Sequence, residues 1–233
     1  MNTPGIFQQR IGYSNATLLV NGPNSVLVDT AVKGHLKQFR KMFQRFGLAP
    51  EDVKLIILTH THYDHTGNLY ALVKLTGAEV LVHTNEYENL KNGFTPIPPG
   101  QGFYTRLVTQ LGRCLMPKFA SPKPFTADRI NTDEFDLSSY GIDAKVISTP
   151  GHSAGSQSVL LGETLISGDT FINLRNGVIF PHFADDPVKL LKTWQNIYDL
   201  GVKIIYPGHG PLLKVEKTFP VFDHWRQKLN MEV

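Results

Sequence analysis

The sequence predicts an α/β fold in which two mixed β-sheets, built from two similar halves of the chain, pack together with helices outside. Two observations predict it. Each half contains a β-hairpin that ends in Asp-Thr, then an amphipathic helix, then an apolar strand whose end carries histidine. No Gly/Ser-rich linker separates the halves. Duplicated units of this kind favour packed layers. We therefore expect a single domain over residues 1–233, with an inserted lid-like loop around residues 93–126.

The first half begins with a hairpin. The β-rich runs NATLLV and SVLVDT are joined by the turn sequence NGPN, residues 21–24. Apolar residues then recur at helical spacing over residues 35–46, and Gly47 ends the segment. The continuous apolar run KLIILT is typical of a strand that is covered on both faces, and it leads directly to His60.

The second half repeats this order. AKVIST is predicted to be a strand, QSVLLGETLISGDT a hairpin, PVKLLKTWQNIYDLG an amphipathic helix, and KIIYPGHG a strand that leads to His209. Between the halves, proline, glycine and aromatic residues are dense over residues 93–125. This composition predicts a long loop with one helix near residues 104–111. Long ordered loops often act as lids.

Composition excludes several classes of protein. A formal net charge of +3 is too small to indicate a nucleic-acid or membrane-surface partner. The single cysteine, Cys114, excludes an internal disulfide and fits a reducing compartment. The chain shows neither a signal peptide nor an apolar run of about 18 residues. We predict a cytoplasmic protein that acts on a small molecule, while its oligomeric state is left open.

The stretch LTHTHYDHTGN, residues 58–68, concentrates metal-binding side chains. His60 and His62 share a face only if the backbone is extended there, since residues two apart on a helix point to different sides. Asp64 and His65 follow as the chain turns towards a helix predicted for LYALVKLT. The two pairs should diverge, which favours two metal ions rather than one.

Two metal ions need more ligands, and three candidates each follow an apolar strand. They are His152 in TPGHSAG, Asp169 in ISGDT and His209 in YPGHG. Zinc takes nitrogen and oxygen donors of these types, and a catalytic site leaves one position for water. A glycine beside a ligand lets the backbone pass close to a crowded centre.

The motifs HTHYDH, GHS, GDT and GHG, with Asp29 upstream, resemble the metallo-β-lactamase superfamily from about residue 15 to residue 209. The resemblance implies a four-layer αβ/βα sandwich with a dinuclear metal site at its edge. It also implies two divalent ions, zinc first, with iron or manganese as alternatives. Matched by position, one ion would be held by His60, His62 and His152, and the other by Asp64, His65 and His209. Asp169 would bridge them.

The resemblance also implies a mechanism. Two neighbouring cations lower the pKa of a shared water, so that a metal-bridging hydroxide attacks the substrate carbonyl. One metal would stabilise the oxyanion while the other accepts the leaving atom. Asp169, as the bridge, and Asp64, as a proton relay to the leaving group, are the predicted catalytic residues. Asp29 is expected to orient a ligand imidazole.

Departures from the family patterns narrow the range of expected substrates. Asp169 stands where some β-lactam-degrading members carry cysteine, which argues against antibiotic hydrolysis. Glyoxalase II-like thioesterases share all seven ligands but add a glutathione-binding domain, for which too few residues follow His209. Lactonases usually carry tyrosine where this chain has Ile172, although Tyr104 could substitute. The strongly basic surface of RNA-processing members is not evident. We rank hydrolysis of a small-molecule ester, thioester or lactone first.

Two other functions remain open at this stage. A mononuclear iron oxidoreductase similar to persulfide dioxygenases would use part of the same ligand set, and the identity of the metal would distinguish it. A non-catalytic zinc site would have a closed ligand shell. Among the remaining histidines, His182 in FPHF lies shortly after the Asp169 turn and is a candidate to line the pocket. No direct role is expected for the others: His35, His83 and His224.

Overall fold

The computed structural model describes residues 4–95, 97–101, 107, 109 and 122–231. Most of the predicted lid lies outside these ranges, including Tyr104, Cys114 and all but residues 107 and 109 of the helix expected near residues 104–111. In the part of the chain that is described, no helix is both long and apolar enough to cross a bilayer.

The first sheet contains six strands in the order of the chain: β1 (Gly5–Ile11), β2 (Ser14–Val20), β3 (Ser25–Val28), β4 (Val53–Ile57), β5 (Glu79–His83) and β6 (Arg129–Asn131). The strand β2 is antiparallel to its neighbours β1 and β3, whereas β3 to β6 run parallel. Its helices are α1 (Leu36–Arg45), α2 (Tyr63–Thr66), α3 (Leu69–Thr76) and α4 (Thr84–Asn92).

The second sheet also contains six strands: β7 (Glu134–Asp136), β8 (Lys145–Ser148), β9 (Gln157–Leu161), β10 (Thr164–Gly168), β11 (Ile204–Pro207) and β12 (Leu213–Lys214). They are hydrogen-bonded in the order β12-β11-β10-β9-β8-β7, with β10 and β11 parallel and the other pairs antiparallel. Two helices follow the hairpin of β9 and β10: α5 (Pro187–Asp199) and α6 (Phe219–Lys228).

Alternation along the central strands creates the layers. In β3, the side chains of Val26 and Val28 belong to an apolar cluster between the two sheets, whereas Leu27 belongs to a cluster with the helices outside. The second sheet does the same, since Ile166 packs between the sheets and Leu165 belongs, with Trp194 of α5, to the outer cluster. Because successive strand residues point to opposite faces, each sheet is buried on both sides.

The predicted fold class is confirmed: two mixed sheets face each other and the helices cover them. The hairpin, helix and apolar strand predicted for each half are present, as β2, β3, α1 and β4 in the first and as β9, β10, α5 and β11 in the second. The sequence analysis did not identify the edge strands, the strand β5 or the helices α4 and α6.

Candidate metal centre

All seven predicted ligands lie together at one edge of the sandwich, each beyond the carboxyl end of a strand. His60 and His62 follow β4 in extended backbone, as predicted, and the short helix α2 then presents Asp64 and His65. The second sheet contributes the other three, which are His152 after β8, Asp169 after β10 and His209 after β11. Six of the seven are buried, and His209 is partly buried.

The first group of ligand atoms consists of three imidazole nitrogens. The Nδ1 atom of His62 lies 2.9 Å from Nε2 of His60 and 3.0 Å from Nε2 of His152. A tetrahedral zinc ion with bonds of about 2.0–2.1 Å holds its ligand nitrogens about 3.3–3.4 Å apart. The three-histidine cluster is therefore close to the spacing that a single ion needs.

The second group of ligand atoms mixes imidazole and carboxylate. Nε2 of His209 lies 3.3 Å from Oδ2 of Asp64, and Nε2 of His65 lies 3.9 Å from the same oxygen. These three side chains form the Asp/His cluster, and their ligand atoms lie within 4.8 Å of one another. Oxygen and nitrogen donors of this kind suit zinc and also iron or manganese.

Asp169 lies between the two clusters. Its Oδ1 is 3.4 Å from Nε2 of His65, whereas its Oδ2 is 3.3 Å from Nε2 of His209 and 3.6 Å from Nε2 of His152. The same carboxylate therefore reaches histidines of both clusters, which is the geometry that a bridging ligand requires. Gly208 makes this possible, since a Cβ atom there would come within 2.1 Å of Oδ1 of Asp169.

Hydrogen bonds fix the imidazoles of His152 and His209 so that their Nε2 atoms point inward. A backbone carbonyl only accepts, so Nδ1 of His152 donates to Phe183 O at 2.9 Å and Nδ1 of His209 donates to Tyr13 O at 2.8 Å. Each ring thus presents an unprotonated Nε2 for a metal once its second proton is lost. Contacts of this type set the tautomer of ligand histidines.

Asp29 orients one histidine of each cluster. Its Oδ2 accepts a hydrogen bond from Nδ1 of His65 at 2.7 Å. The same oxygen accepts from Oγ1 of Thr59 at 2.8 Å, and this hydroxyl contacts Nδ1 of His60 at 3.0 Å. The predicted role of Asp29 therefore agrees with its position, and Thr59 extends that role to the three-histidine cluster.

The clusters differ in charge. Burial lowers the pKa of His62 to about 4, as it does for His152, and it lowers the pKa of His60 well below the usual value. In the Asp/His cluster, burial also opposes the charged form, but Asp169 and Asp64 together outweigh it and raise the pKa of His209 to about 10. His65 shifts in the same direction, because Asp169 and Asp29 raise its pKa well above the usual value. The first cluster offers neutral donors, while the second holds protons that a cation would displace.

Unsatisfied polar atoms support a metal at this place. Among the described residues, four buried side-chain nitrogen or oxygen atoms have no hydrogen-bond partner, and three of them belong to the site. They are Nε2 of His62, Nε2 of His65 and Oδ1 of Asp169. Buried groups of this kind normally find partners, and a ligand ion supplies one for the last two. The residues present fit a pair of divalent ions.

Several contributors to the site were missed. The carbonyls of Tyr13 and Phe183 carry no residue-type signal, so no motif could reveal them. Glu86 in α4 is buried and bonded to the loops that carry the ligands, but it lies far from the histidine motifs in sequence. The side chain of His182 is exposed, and the neighbouring Phe183 reaches the site through its backbone, so pocket lining by His182 stays a prediction.

Comparisons with known proteins agree with this geometry. The sequence profile of the metallo-beta-lactamase superfamily matches residues 10–209. The chain is 28% identical to a probable metallo-hydrolase of Methanocaldococcus jannaschii over 208 residues, which cover 86% of this chain and 90% of that protein. It is 26% identical to a hydroxyacylglutathione hydrolase of Shewanella pealeana over 146 residues, or 63% of this chain and 41% of that protein. The crystal structure of the B3 metallo-beta-lactamase BLEG-1 superposes with a TM-score of 0.71 at 25% identity, covering 93% of this chain and 97% of that one.

Proposed function

We propose, from the premise that this chain belongs to the metallo-beta-lactamase superfamily, that it is a hydrolase that holds two divalent metal ions. We further propose that it cleaves an ester, thioester or lactone bond in a small molecule. The observation that carries the proposal is the position of Asp169 between the two ligand clusters, with one oxygen near His65 and the other near His152 and His209.

Exposure distinguishes this proposal from a purely structural metal site. The side chains of Asp64 and His209 are 13% and 16% exposed, whereas that of His65 is fully buried. The site therefore opens to solvent on the side of Asp64 and His209. A structural zinc site has a closed shell, while a catalytic one keeps a position for water and substrate.

The metal ions, when bound, would supply a nucleophile from water at neutral pH and polarise the carbonyl that is attacked. The protein residues then have separate tasks. Asp169 keeps the two clusters at a fixed separation. Asp29 and the carbonyls of Tyr13 and Phe183 hold the imidazole rings in one tautomer.

Asp64 is the residue proposed to move a proton. Neighbouring His65 and His209 lower the pKa of its carboxyl group although burial opposes this, so the group is ionised at neutral pH. Its Oδ2 lies at the open side of the site, next to His209. From there it can accept a proton and transfer it to the departing oxygen or sulfur atom.

The similarity to a hydroxyacylglutathione hydrolase supports a thioester as the first substrate class to test. A lactone is the second. The position three residues beyond Asp169 holds Ile172, whose side chain is 4% exposed and has no hydroxyl group, so any hydroxyl contact to a lactone would come from elsewhere.

The test combines metal analysis with a substrate panel. Protein purified without added metal would be analysed for zinc, iron and manganese, and assayed with an acylated glutathione, a γ-lactone, an aryl ester and a β-lactam. Asp169→Ala, purified in parallel, would reveal hydrolysis that comes from contaminants. The proposal expects two metal ions in the unmodified protein and hydrolysis of one of the first three substrates that the variant lacks.

Other outcomes would overturn the proposal. A single iron with no hydrolysis would favour the mononuclear iron oxidoreductase. Cleavage of the β-lactam alone would refute the substrate class and leave the metal-dependent hydrolase in place. Two firmly bound zinc ions without turnover of any ester, thioester, lactone or β-lactam would favour a structural role.

A further inference from the structure

Glu86 is a buried carboxylate at the edge of the three-histidine cluster. It lies in the first turn of α4 and is 2% exposed. Its Oε2 accepts hydrogen bonds from both Thr61 N, at 3.1 Å, and the Thr61 hydroxyl. Its Oε1 accepts from Ser153 Oγ at 2.6 Å and from Gly155 N at 3.3 Å. A single carboxylate therefore holds two separate loops.

These loops are the ones that present the three histidines. Thr61 stands between His60 and His62, and Ser153 directly follows His152. The first loop leaves β4 of one sheet and the second lies between β8 and β9 of the other. Glu86 thus joins the two sides of the cluster through backbone and side-chain donors adjacent to the ligands.

Helix stabilisation alone does not explain these contacts. An acidic residue in the first turn does favour a helix, through the helix dipole. The partners of Glu86, however, are 25, 67 and 69 residues away in the sequence, outside its own helix. All of them are donors, so the position requires a group that only accepts.

The fit around the carboxylate is close. A Cβ atom on Gly155 would lie 2.6 Å from Cγ of Glu86, so that a larger residue there would displace the carboxylate-bearing side chain. Ser153 Oγ also lies 2.9 Å from Ser156 Oγ, which fixes the hydroxyl that donates to Glu86. Close packing at Gly155 and the hydrogen bond with Ser156 therefore hold the contact between Ser153 and Glu86 in place.

We propose that Glu86 is a positioning residue that sets the spacing of the three-histidine cluster and thereby its affinity for metal. The inference rests on the proposed function in that this cluster binds an ion. Loss of the carboxylate would let the loops carrying His62 and His152 separate. In other metal proteins, mutation of a residue that hydrogen-bonds to a metal ligand lowers the metal affinity by about 10- to 100-fold.

The test is a zinc titration of metal-free protein in competition with a chromophoric chelator. Glu86→Gln keeps the shape but turns one acceptor into a donor that faces donors. Glu88→Gln is the matched control, because Glu88 lies on the same helix with a side chain that is 70% exposed. His152→Ala identifies which of the two dissociation constants belongs to the three-histidine cluster.

We expect Glu86→Gln to raise that dissociation constant by about 10- to 100-fold and to leave the other constant, and the Glu88→Gln control, unchanged. Equal constants in Glu86→Gln and the control would overturn the inference, and so would an equal weakening of both constants. If the unmodified protein binds neither zinc nor iron nor manganese, the proposed function fails instead.

A second pair of variants decides the matter if Glu86→Gln does not fold, as judged by circular dichroism. Ser153→Ala and Thr61→Val each remove one hydroxyl donor to Glu86 and keep nearly the same volume. The inference expects each to weaken the same constant as His152→Ala does, though less. Unchanged constants in both folded variants would refute it.

Discussion

Replacing Asp29 by asparagine tests how the site holds its imidazoles. The backbone of Asp29 is left-handed, with a φ of 64°, and asparagine tolerates this region about as well as aspartate. The change therefore acts on the side chain alone. Its carboxylate accepts from His65 Nδ1 at 2.7 Å, from Thr59 N at 2.8 Å and from Thr59 Oγ1 at 2.8 Å.

Either orientation of the asparagine amide loses at least one of these contacts. With its NH₂ group in the place of Oδ1, it faces the N–H of Thr59, and an unsatisfied buried donor costs about 1–3 kcal/mol. With the NH₂ group in the place of Oδ2, it faces Nδ1 of His65 and drives the proton to Nε2, the metal-binding atom. We expect the dissociation constant of the Asp/His cluster to rise about 10- to 100-fold, or about 1.4–2.7 kcal/mol.

The assay is the same zinc competition titration, together with urea denaturation of the metal-free protein. Asp199→Asn is the matched control, since Asp199 is exposed on α5 and accepts a hydrogen bond from Gln195 at 2.9 Å. The variant at Asp29 should weaken zinc binding and lower the free energy of unfolding relative to this control. Equal zinc constants in the two variants would refute the orienting role of Asp29.

Three further outcomes are expected. Asp169→Ala should abolish hydrolysis and reduce zinc below two equivalents because it removes the carboxylate shared by both clusters, and elemental analysis showing two retained equivalents would contradict this. His182→Ala should keep its full metal content, since its side chain is exposed, and the loss of an ion would make His182 a ligand. In metal-free protein, the free energy of unfolding should fall as pH rises from the usual histidine pKa of 6.5 to about 10, because His209 keeps its proton only when folded. It should also fall as pH drops from 6.5 to about 4, because His62 and His152 take up protons on unfolding. Urea denaturation across this range measures both limbs, and a flat profile on either side would count against the charge assignment.

The proposed ligands could be placed together from the sequence because their motifs resemble those of the metallo-β-lactamase superfamily and the segments that carry them follow predicted strands. KLIILT and KIIYPGHG are continuous apolar runs, and the chain can leave such strands only at their ends, which places His60 and His209 at one edge. The extended backbone at His60 and His62 could also be predicted, because residues two apart share a face only in extended chain.

The short strands and the other contributors to the site could not be predicted from the sequence, for physical reasons. The strands β6 and β7 contain three residues each, too few to show a period. The contacts of Glu86 depend on how two loops meet in space, and its neighbours in sequence resemble any exposed helix. Every residue type has a backbone carbonyl, so nothing in the sequence distinguishes the carbonyls of Tyr13 and Phe183 as acceptors for the imidazoles.

Because the proposed ligands come from both sheets, the ribosome synthesises them at very different times. The first sheet can begin to form with four ligands, His60 to His65, while the segment that carries His209 is still unmade. An ion bound early would find an incomplete set of His and Asp ligands and would exchange readily with thiols and imidazoles elsewhere in the cell. Stable capture of the proposed ions would therefore come late, and chains made without metal would have their two sheets joined by the apolar interface and by hydrogen bonds such as that from Ser153 to Glu86.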